Sequence, residues 1–457
     1  MRRIKGPISN NRKLKQTQIV IVLLIAVSLV ASFQNRFAAT AKSTTTESTI
    51  VLHTAGAPFL QGTFQVVNNE LGNQFHPHVS CNLVSYTFDD FQGSSTVHYH
   101  DLVTGTDTVA PGNTVDMLSD ISGSRVAFTE VTIPGDTVRI FDTNSQVTTI
   151  VPGLGRSNPS IGGNLIAFED RIDPHINIRQ SEILTYDLST GTFTPLTNDT
   201  RTNMFPNVSP NGDAVVWEKC QIHGVGCDIY AAIQTSPGVF STTALTLGGG
   251  NDRLPFTDGH VAVYVSDRTG DNDVYYQPLA GGSEVHLEIP GEQRWARISG
   301  DLISFESQGQ GGYDIFVYDI RSGNLFQVTN TPGLDETLNE ISVCNGVGRI
   351  VYALPGFGDF DVNAFSFQVP SVTDDQIDDL ITLIRNFDLP QGTANSLITK
   401  LQQALNAIDA GDLATACSSL TAFTSECAAQ SGKKLTTDQA TQLINSANQI
   451  KSDLGCQ

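Results

Sequence analysis

One short pattern returns seven times between residues 75 and 370. It runs as a polar residue, a Pro or small residue, a hydrophobic stretch, a turn, and an Asp-Ile-Tyr-like stretch. Its marker position falls at Pro77, Ser119, Pro159, Pro206, Pro255, Ala296 and Asn339, so successive copies are 42, 40, 47, 49, 41 and 43 residues apart. A period in the forties built only of short strands predicts a mainly β fold, a seven-bladed β-propeller in which each copy is one four-stranded blade. The sixth copy reads as strands Trp295–Ser299, Leu302–Glu306, Asp314–Asp319 and Leu325–Thr329, the first being innermost. The seventh copy runs into Pro370 before an outer strand can form. Ser48–Thr54 or Thr63–Val67 can supply that strand and close the ring, which removes an exposed edge. Thr63–Val67 is favoured because it directly precedes the first inner strand. The propeller is therefore expected over residues 48–370.

Three stretches carry a family resemblance: Phe205-Pro-Asn-Val-Ser-Pro-Asn-Gly-Asp213, Ser266-Asp-Arg-Thr-Gly-Asp-Asn-Asp-Val-Tyr-Tyr276 and Tyr313-Asp-Ile-Phe-Val-Tyr-Asp319. Together they resemble the TolB-type β-propeller family, over roughly residues 50–370. The resemblance implies a binding platform. TolB itself has six such blades against the seven counted here.

After Pro370 the apolar period changes from two to about 3.6. Helices are expected from Thr373 to about Phe387, about Thr393–Ala410, about Asp412–Gln430, and onward from the Thr436/Thr437 cap, and four such helices can bury one small core. The residues Leu397-Ile-Thr-Lys-Leu401, Gly411-Asp-Leu413, Phe423 and Ser431-Gly-Lys-Lys-Leu435 are similar to the FIMAH domain, a helical module at the C-terminus of exported bacterial proteins. That resemblance implies an interaction or attachment module over residues 373–457.

Residues 1–41 read as a signal peptide. Arg2, Arg3, Lys5, Arg12, Lys13 and Lys15 precede the apolar stretch Ile19–Ala31, and Ala39-Thr40-Ala41 offers cleavage after Ala41. The apolar core is short for a bilayer span, so no membrane insertion is expected after cleavage, although an uncleaved anchor is the rival. The chain should be exported, periplasmic or extracellular. Export permits disulfides. Cys220 and Cys227 flank one strand connection, and Cys81 and Cys344 follow the inner strands of the first and seventh copies, neighbours in a closed ring. Cys417 and Cys427 lie about 15 Å apart on one helix, too far to bridge. Cys456 must take one of them, with Cys417 favoured and Cys427 left as the odd, buried thiol.

The chain holds 26 basic and 47 acidic residues, a net charge of −21, which argues against nucleic acid as a partner. No Gly-x-Ser-x-Gly elbow, His-Glu-x-x-His or phosphate loop occurs. His76, His78, His98 and His100 are weak candidates for a metal, because alternate residues on a strand share a face. Against this, His98 and His100 align with Phe316 and Tyr318, and His76 with Leu118, Phe205, Leu254 and Trp295, so three of the four read as stand-ins for core rings. No metal, cofactor or catalytic group is therefore expected. Asp267 to Asp273 superficially resembles a calcium loop, which keeps calcium as a candidate ligand. The acids opening the third strands (Glu182, Asp228, Asp273, Asp314, Asp361) recur, which predicts a structural turn bond.

One aligned column is mostly polar inside an apolar strand: His78, Asp120, Ser160, Asn207, Phe256, Arg297 and Glu340. Such a column should line the wet mouth of the central channel, the expected ligand site. Asp89, Asp90, Glu169, Asp170, Glu218, Asp267 and Glu306 should make one acidic face around it. The expected function is a non-catalytic scaffold that binds a protein or glycan of the cell envelope. The alternative is a metal-dependent polysaccharide lyase or hydrolase acting in the channel.

Overall fold

The computed structural model describes residues 47–456 apart from 114, 172–179, 200, 222–224, 310, 357, 370–371, 388, 410–411 and 455. The leader proposed for residues 1–41 lies outside them. The described residues form two units, a β-propeller and a helical bundle.

The propeller has seven sheets, one for each repeat. Each inner strand packs against the inner strand of the next blade, and the seventh against the first, so the ring is closed. The second strands are buried on both faces, because each blade is covered by two others. Ala214-Val-Val-Trp217 and Val261-Ala-Val-Tyr264 run nearly unbroken in apolar residues for that reason. The outer strands face water, as Thr106–Val109 does, with three polar residues in four. Aromatic pairs bridge the second and third strands at one level in several blades: Trp217 with Tyr230, Tyr264 with Tyr275, and Phe305 with Phe316.

Every inner strand carries a bulge at the same place. His76, Leu118, Asn158, Phe205, Leu254, Trp295 and Leu338 all have φ between 51° and 59°, and the pairing register slips across this position, as between Phe75 and His78. The bulge explains the recurring proline. A residue just past the bulge leaves the ladder, so Pro77, Pro159, Pro206 and Pro255 sacrifice no hydrogen bond. Asn339, in the same position, keeps its N–H and donates it to Glu306 Oε1 at 3.2 Å.

Thr63–Asn68 is the outer strand of the seventh blade, antiparallel to Phe360–Gln368 with Phe64 opposite Phe365. The ring thus closes with strands from both ends of the repeat region. The other candidate strand lies elsewhere. Glu47–Val51 adds a fifth, parallel strand to the fifth blade, on Glu284–Glu288. Between the two, Gln327 N donates to Pro58 O and Leu60 N to Gln327 O on the outer strand of the sixth blade. Residues 47–68 therefore form a strap over the outer edges of blades five, six and seven. A chain beginning at residue 69 leaves these edges bare, and should self-associate. Light scattering would show oligomers or aggregate where the full chain shows none, and a monodisperse monomer would contradict the strap's protective role.

The helical unit comprises α1 (Val372–Asn386), α2 (Gln391–Asp409), α3 (Leu413–Gln430) and α4 (Thr437–Asp453). Ile377, Leu380 and Ile384 of α1 meet Leu397 and Leu401 of α2, Leu420 and Phe423 of α3, and Leu443 and Ala447 of α4 in one core. Asp412 caps α3 by accepting Thr415 N. At α4, Thr436 Oγ1 accepts Gln439 N while Gln439 Oε1 accepts Thr436 N, a reciprocal capping pair. No helix among the described residues is long and apolar enough to cross a membrane.

Three disulfides are formed: Cys81–Cys344, Cys220–Cys227 and Cys417–Cys456. Cys427 is free and buried beside Phe423, where burial pushes its thiol up to about 12. It acts as a small apolar residue and is inert as a nucleophile.

Candidate functional site

The polar column lies on the seven inner strands, each packed against the next, and its polarity has a structural cause. In four blades the column residue accepts the N–H that follows the column in the next blade. Asp120 accepts Ile161 N at 2.8 Å, Ser160 accepts Val208 N at 3.0 Å, Asn207 accepts Thr257 N at 2.8 Å, and Glu340 accepts Val79 N at 3.2 Å. All four acceptors are buried. An inner strand pairs on one side only, so its other backbone groups need partners from the neighbouring blade.

A second tier lies two residues further on. Ser80 Oγ accepts Gly123 N, Ser122 Oγ accepts Gly163 N, Ser299 Oγ accepts Val343 N, and Ser342 Oγ accepts Cys81 N, at 2.9–3.3 Å. Blade three has Gly162 instead. A Cβ there would stand 1.8 Å from Ser209 O, so no larger residue fits where the two strands cross.

A third tier uses the ends of the second strands. Glu169 Oε1 accepts Phe205 N at 3.0 Å and Glu218 Oε1 accepts Leu254 N at 2.6 Å, while Glu306 takes Asn339 N. The expected acidic face is corrected here. Glu218 and Glu306 are 2% and 0% exposed, and they point into blade seams because the bulge leaves an N–H that a glutamate can reach. Burial pushes all three carboxyls up, Glu218 to about 7. Asp267 likewise turns inward, to Asn251 N and Nδ2 at 2.7 and 2.9 Å. Asp89, Asp90 and Asp170 are partly exposed.

Glu340 Oε2 sits 2.6 Å from His78 Nδ1, and Asp120 Oδ1 lies 3.6 Å from it on the other side. Burial opposes charge on His78, but Glu340 and Asp120 outweigh it and raise the imidazole above its ordinary range. His78 is thus an ionic bridge across blades seven, one and two. These three groups also present one ligand atom each within 4.8 Å of one another.

The other candidate ligands go elsewhere. His76 sits on the bulge, where strand alternation fails, so it does not share a face with His78 as the spacing predicts. Burial holds it down, to about 4. His98 faces Tyr86 across the blade, as Phe316 faces Phe305, and it contacts Asp107 at 2.7 Å with His100 Nδ1 3.4 Å away. Burial raises the Asp107 carboxyl, but bonds from His100, His98 and Tyr86 hold it well below the usual carboxylate range. Asp273, in the calcium-like loop, is held by Thr269 and by His286 Nε2 at 3.0 Å, apart from Asp267. Of the acids opening the third strands, Glu182, Asp228 and Asp314 each accept a backbone N–H just after the outer strand, from Asp199, Gly248 and Thr331. These are turn bonds.

Sequence reasoning missed a feature of the loops. Connections between blades and between second and third strands share one face, and there Leu71, Phe91, Ile133, Leu154 and Leu247 are exposed, Leu71 by 85% and Ile133 by 91%. On the opposite face Val103 is exposed.

No protein-family model matches this chain, and no curated protein matches it. Among solved structures, an acylaminoacyl peptidase in complex with a chloromethyl ketone superposes with a TM-score of 0.51 at 12% identity, over 65% of this chain and 52% of that one. The chain therefore spans about half the length of that peptidase. The β-propeller domain of the Trilobed protease from Pyrococcus furiosus gives a TM-score of 0.51 at 11% identity, over 65% of this chain and 98% of that domain. TolB from Acinetobacter baumannii is a distant neighbour, with a TM-score of 0.38 at 19% identity over 60% and 77%. At these identities the likeness concerns the fold alone.

Proposed function

We propose that this chain is an exported, non-catalytic binding scaffold whose loop face takes a protein or glycan of the cell envelope. One observation carries the reading: Leu71, Phe91, Ile133, Leu154 and Leu247 stand exposed in the loops of one propeller face, which also carries the partly exposed Asp89, Asp90 and Asp170. Exposed apolar patches mark interaction surfaces. The groups most suggestive of catalysis are already engaged between blades, which supports the same view. Three disulfides fit an oxidising compartment, and a mature N-terminus at Lys42 would confirm export with cleavage. The FIMAH-like bundle supplies an attachment module of its own.

The test is capture from envelope extract. A Leu71→Ser/Phe91→Ser/Leu154→Ser variant should retain less than a tenth of the partner held by wild type, while Val103→Ser retains all of it. Equal capture by the triple variant would overturn the assignment of this face.

A second reading, a metal-dependent polysaccharide lyase or hydrolase in the channel, draws on the His78, Asp120 and Glu340 cluster. Stoichiometric manganese, zinc or calcium in the purified protein, lost in His78→Ala, would favour it.

A further inference from the structure

The column that ties each inner strand to the next is interrupted at blades one, five and six; at blade one Ile121 N goes to Asp120 Oδ1 and His78 instead bridges Glu340 and Asp120. Phe256 and Arg297 stand where Asp120, Ser160, Asn207 and Glu340 accept the neighbour's N–H. A phenyl ring accepts nothing there, and a guanidinium only donates. Where a repeat fixes one structural duty, copies that cannot perform it are candidates for another.

Arg297 also lacks the close carboxylate that several of the propeller's arginines have, and in lying over two rings it resembles, among the described residues, only Arg156, which keeps Asp170 at 3.9 Å. Arg139, Arg268 and Arg294, also half-buried, each meet a carboxylate at 2.5–2.8 Å. Arg297 has no carboxylate within 4.0 Å among the described residues. Its one hydrogen bond runs from Nη1 to Ala296 O at 3.0 Å, and its Nε is buried without an acceptor. The nearby acids are engaged: Glu340 by Val79 N and His78, Glu306 by Arg294 and Asn339, and Asp120 by Ile121 N and Ile161 N. The guanidinium instead lies 5.1 Å from the Phe256 ring centroid and 5.4 Å from that of Trp295. A planar cation held over two rings, with free donors in a fixed fork, matches a carboxylate and the apolar surface that bears it.

We propose that Arg297, seated on Phe256 and Trp295, is the anchor for a carboxylate-bearing ligand at the channel. This inference rests on the scaffold reading and names the chemistry of what is bound there. The carboxylate can come from a peptide C-terminus or from a uronic acid, and both present a CH-rich surface for the rings.

Two matched pairs of probes separate these sources: N-acetyl-Ala-Phe against its C-terminal amide, and methyl glucuronoside against methyl glucoside. Calorimetric titration of the intact mature protein should show at least one acid binding tenfold or more tighter than its neutral counterpart. Arg297→Gln should abolish that preference, and Arg297→Lys, which keeps the charge but not the fork, should retain only part of it. Phe256→Ala should weaken acid and neutral probe alike. Both acids binding wild type no better than their neutral partners would sink the proposal before any variant is made. So would a preference that survives in a folded Arg297→Gln protein; if that variant does not fold, a preference undiminished in Arg297→Lys has the same force. Partner capture by the loop face without acid preference would leave the scaffold standing and remove Arg297 as its anchor. Acid preference without capture would do the reverse.

Discussion

A Cys81→Ser/Cys344→Ser variant is expected to lose about 5 kcal/mol of stability, against about 2 kcal/mol for Cys220→Ser/Cys227→Ser, since a cross-link acts chiefly by restricting the unfolded chain. The separations are 263 and 7 residues, and the closure entropy grows with the logarithm of loop length. The long link joins the first and last blades, so its loop contains almost the whole propeller. Urea unfolding of the two variants under identical conditions gives the comparison.

The variant should nonetheless fold. The seam between blades seven and one keeps the bonds used at other seams, Glu340 to Val79 N and Ser342 to Cys81 N, and Ser at 81 retains that N–H. It also keeps the His78 bridge and the outer strand Thr63–Asn68. Native-like circular dichroism with a lowered urea midpoint is the expected pair of results. Equal losses in the two variants would show that the seam's hydrogen bonds, the His78 bridge and the closing strand hold the ring, with the disulfide contributing no more than a local link.

Much of this was legible in the sequence because the repeat averages over seven copies. The blade count and the closing strand near Phe64 follow from the period and the missing outer strand of the last copy. The helices were legible from their apolar face, since Ile377, Leu380, Ile381 and Ile384 permit only one packing side. What stayed hidden was the bulge. Reading His76 and His78 as sharing a face assumed unbroken alternation, and the recurring Pro one residue later was the available sign that the ladder is interrupted. The polar column was visible, but its cause lies in unpaired N–H groups of the adjacent strand, which no single copy reveals. Serine two residues after the column in five copies (Ser80, Ser122, Ser209, Ser299, Ser342) was the clue to a tiered girdle. The partner of Glu47–Val51 was not legible, because the outer edges of blades five, six and seven offer similar backbone to a strand.

The girdle has a consequence for pH. Glu218 is driven up to about 7 chiefly by burial, with Leu254 N and Arg253 only partly offsetting it. An acid whose folded value is raised imposes no penalty below its ordinary range near 4.5. The penalty grows as pH climbs from there and is complete above about 7. Asp116 and Glu336, raised to about 7 and about 8 by burial and by a neighbouring acid, act in the same direction. Stability of the propeller should therefore fall between pH 5 and pH 8, where many proteins are near their maximum. Glu218→Gln isolates one contribution, because its amide oxygen can still accept Leu254 N while the proton-linked penalty disappears. The variant should match wild type at pH 4.5 and exceed it by about 3 kcal/mol at pH 8.5, the equivalent of roughly two and a half pKa units. Urea midpoints measured across that range give the result. Parallel curves for the two proteins would mean that Glu218 ionises as freely in the fold as outside it, and that its seam is wetter than its burial implies.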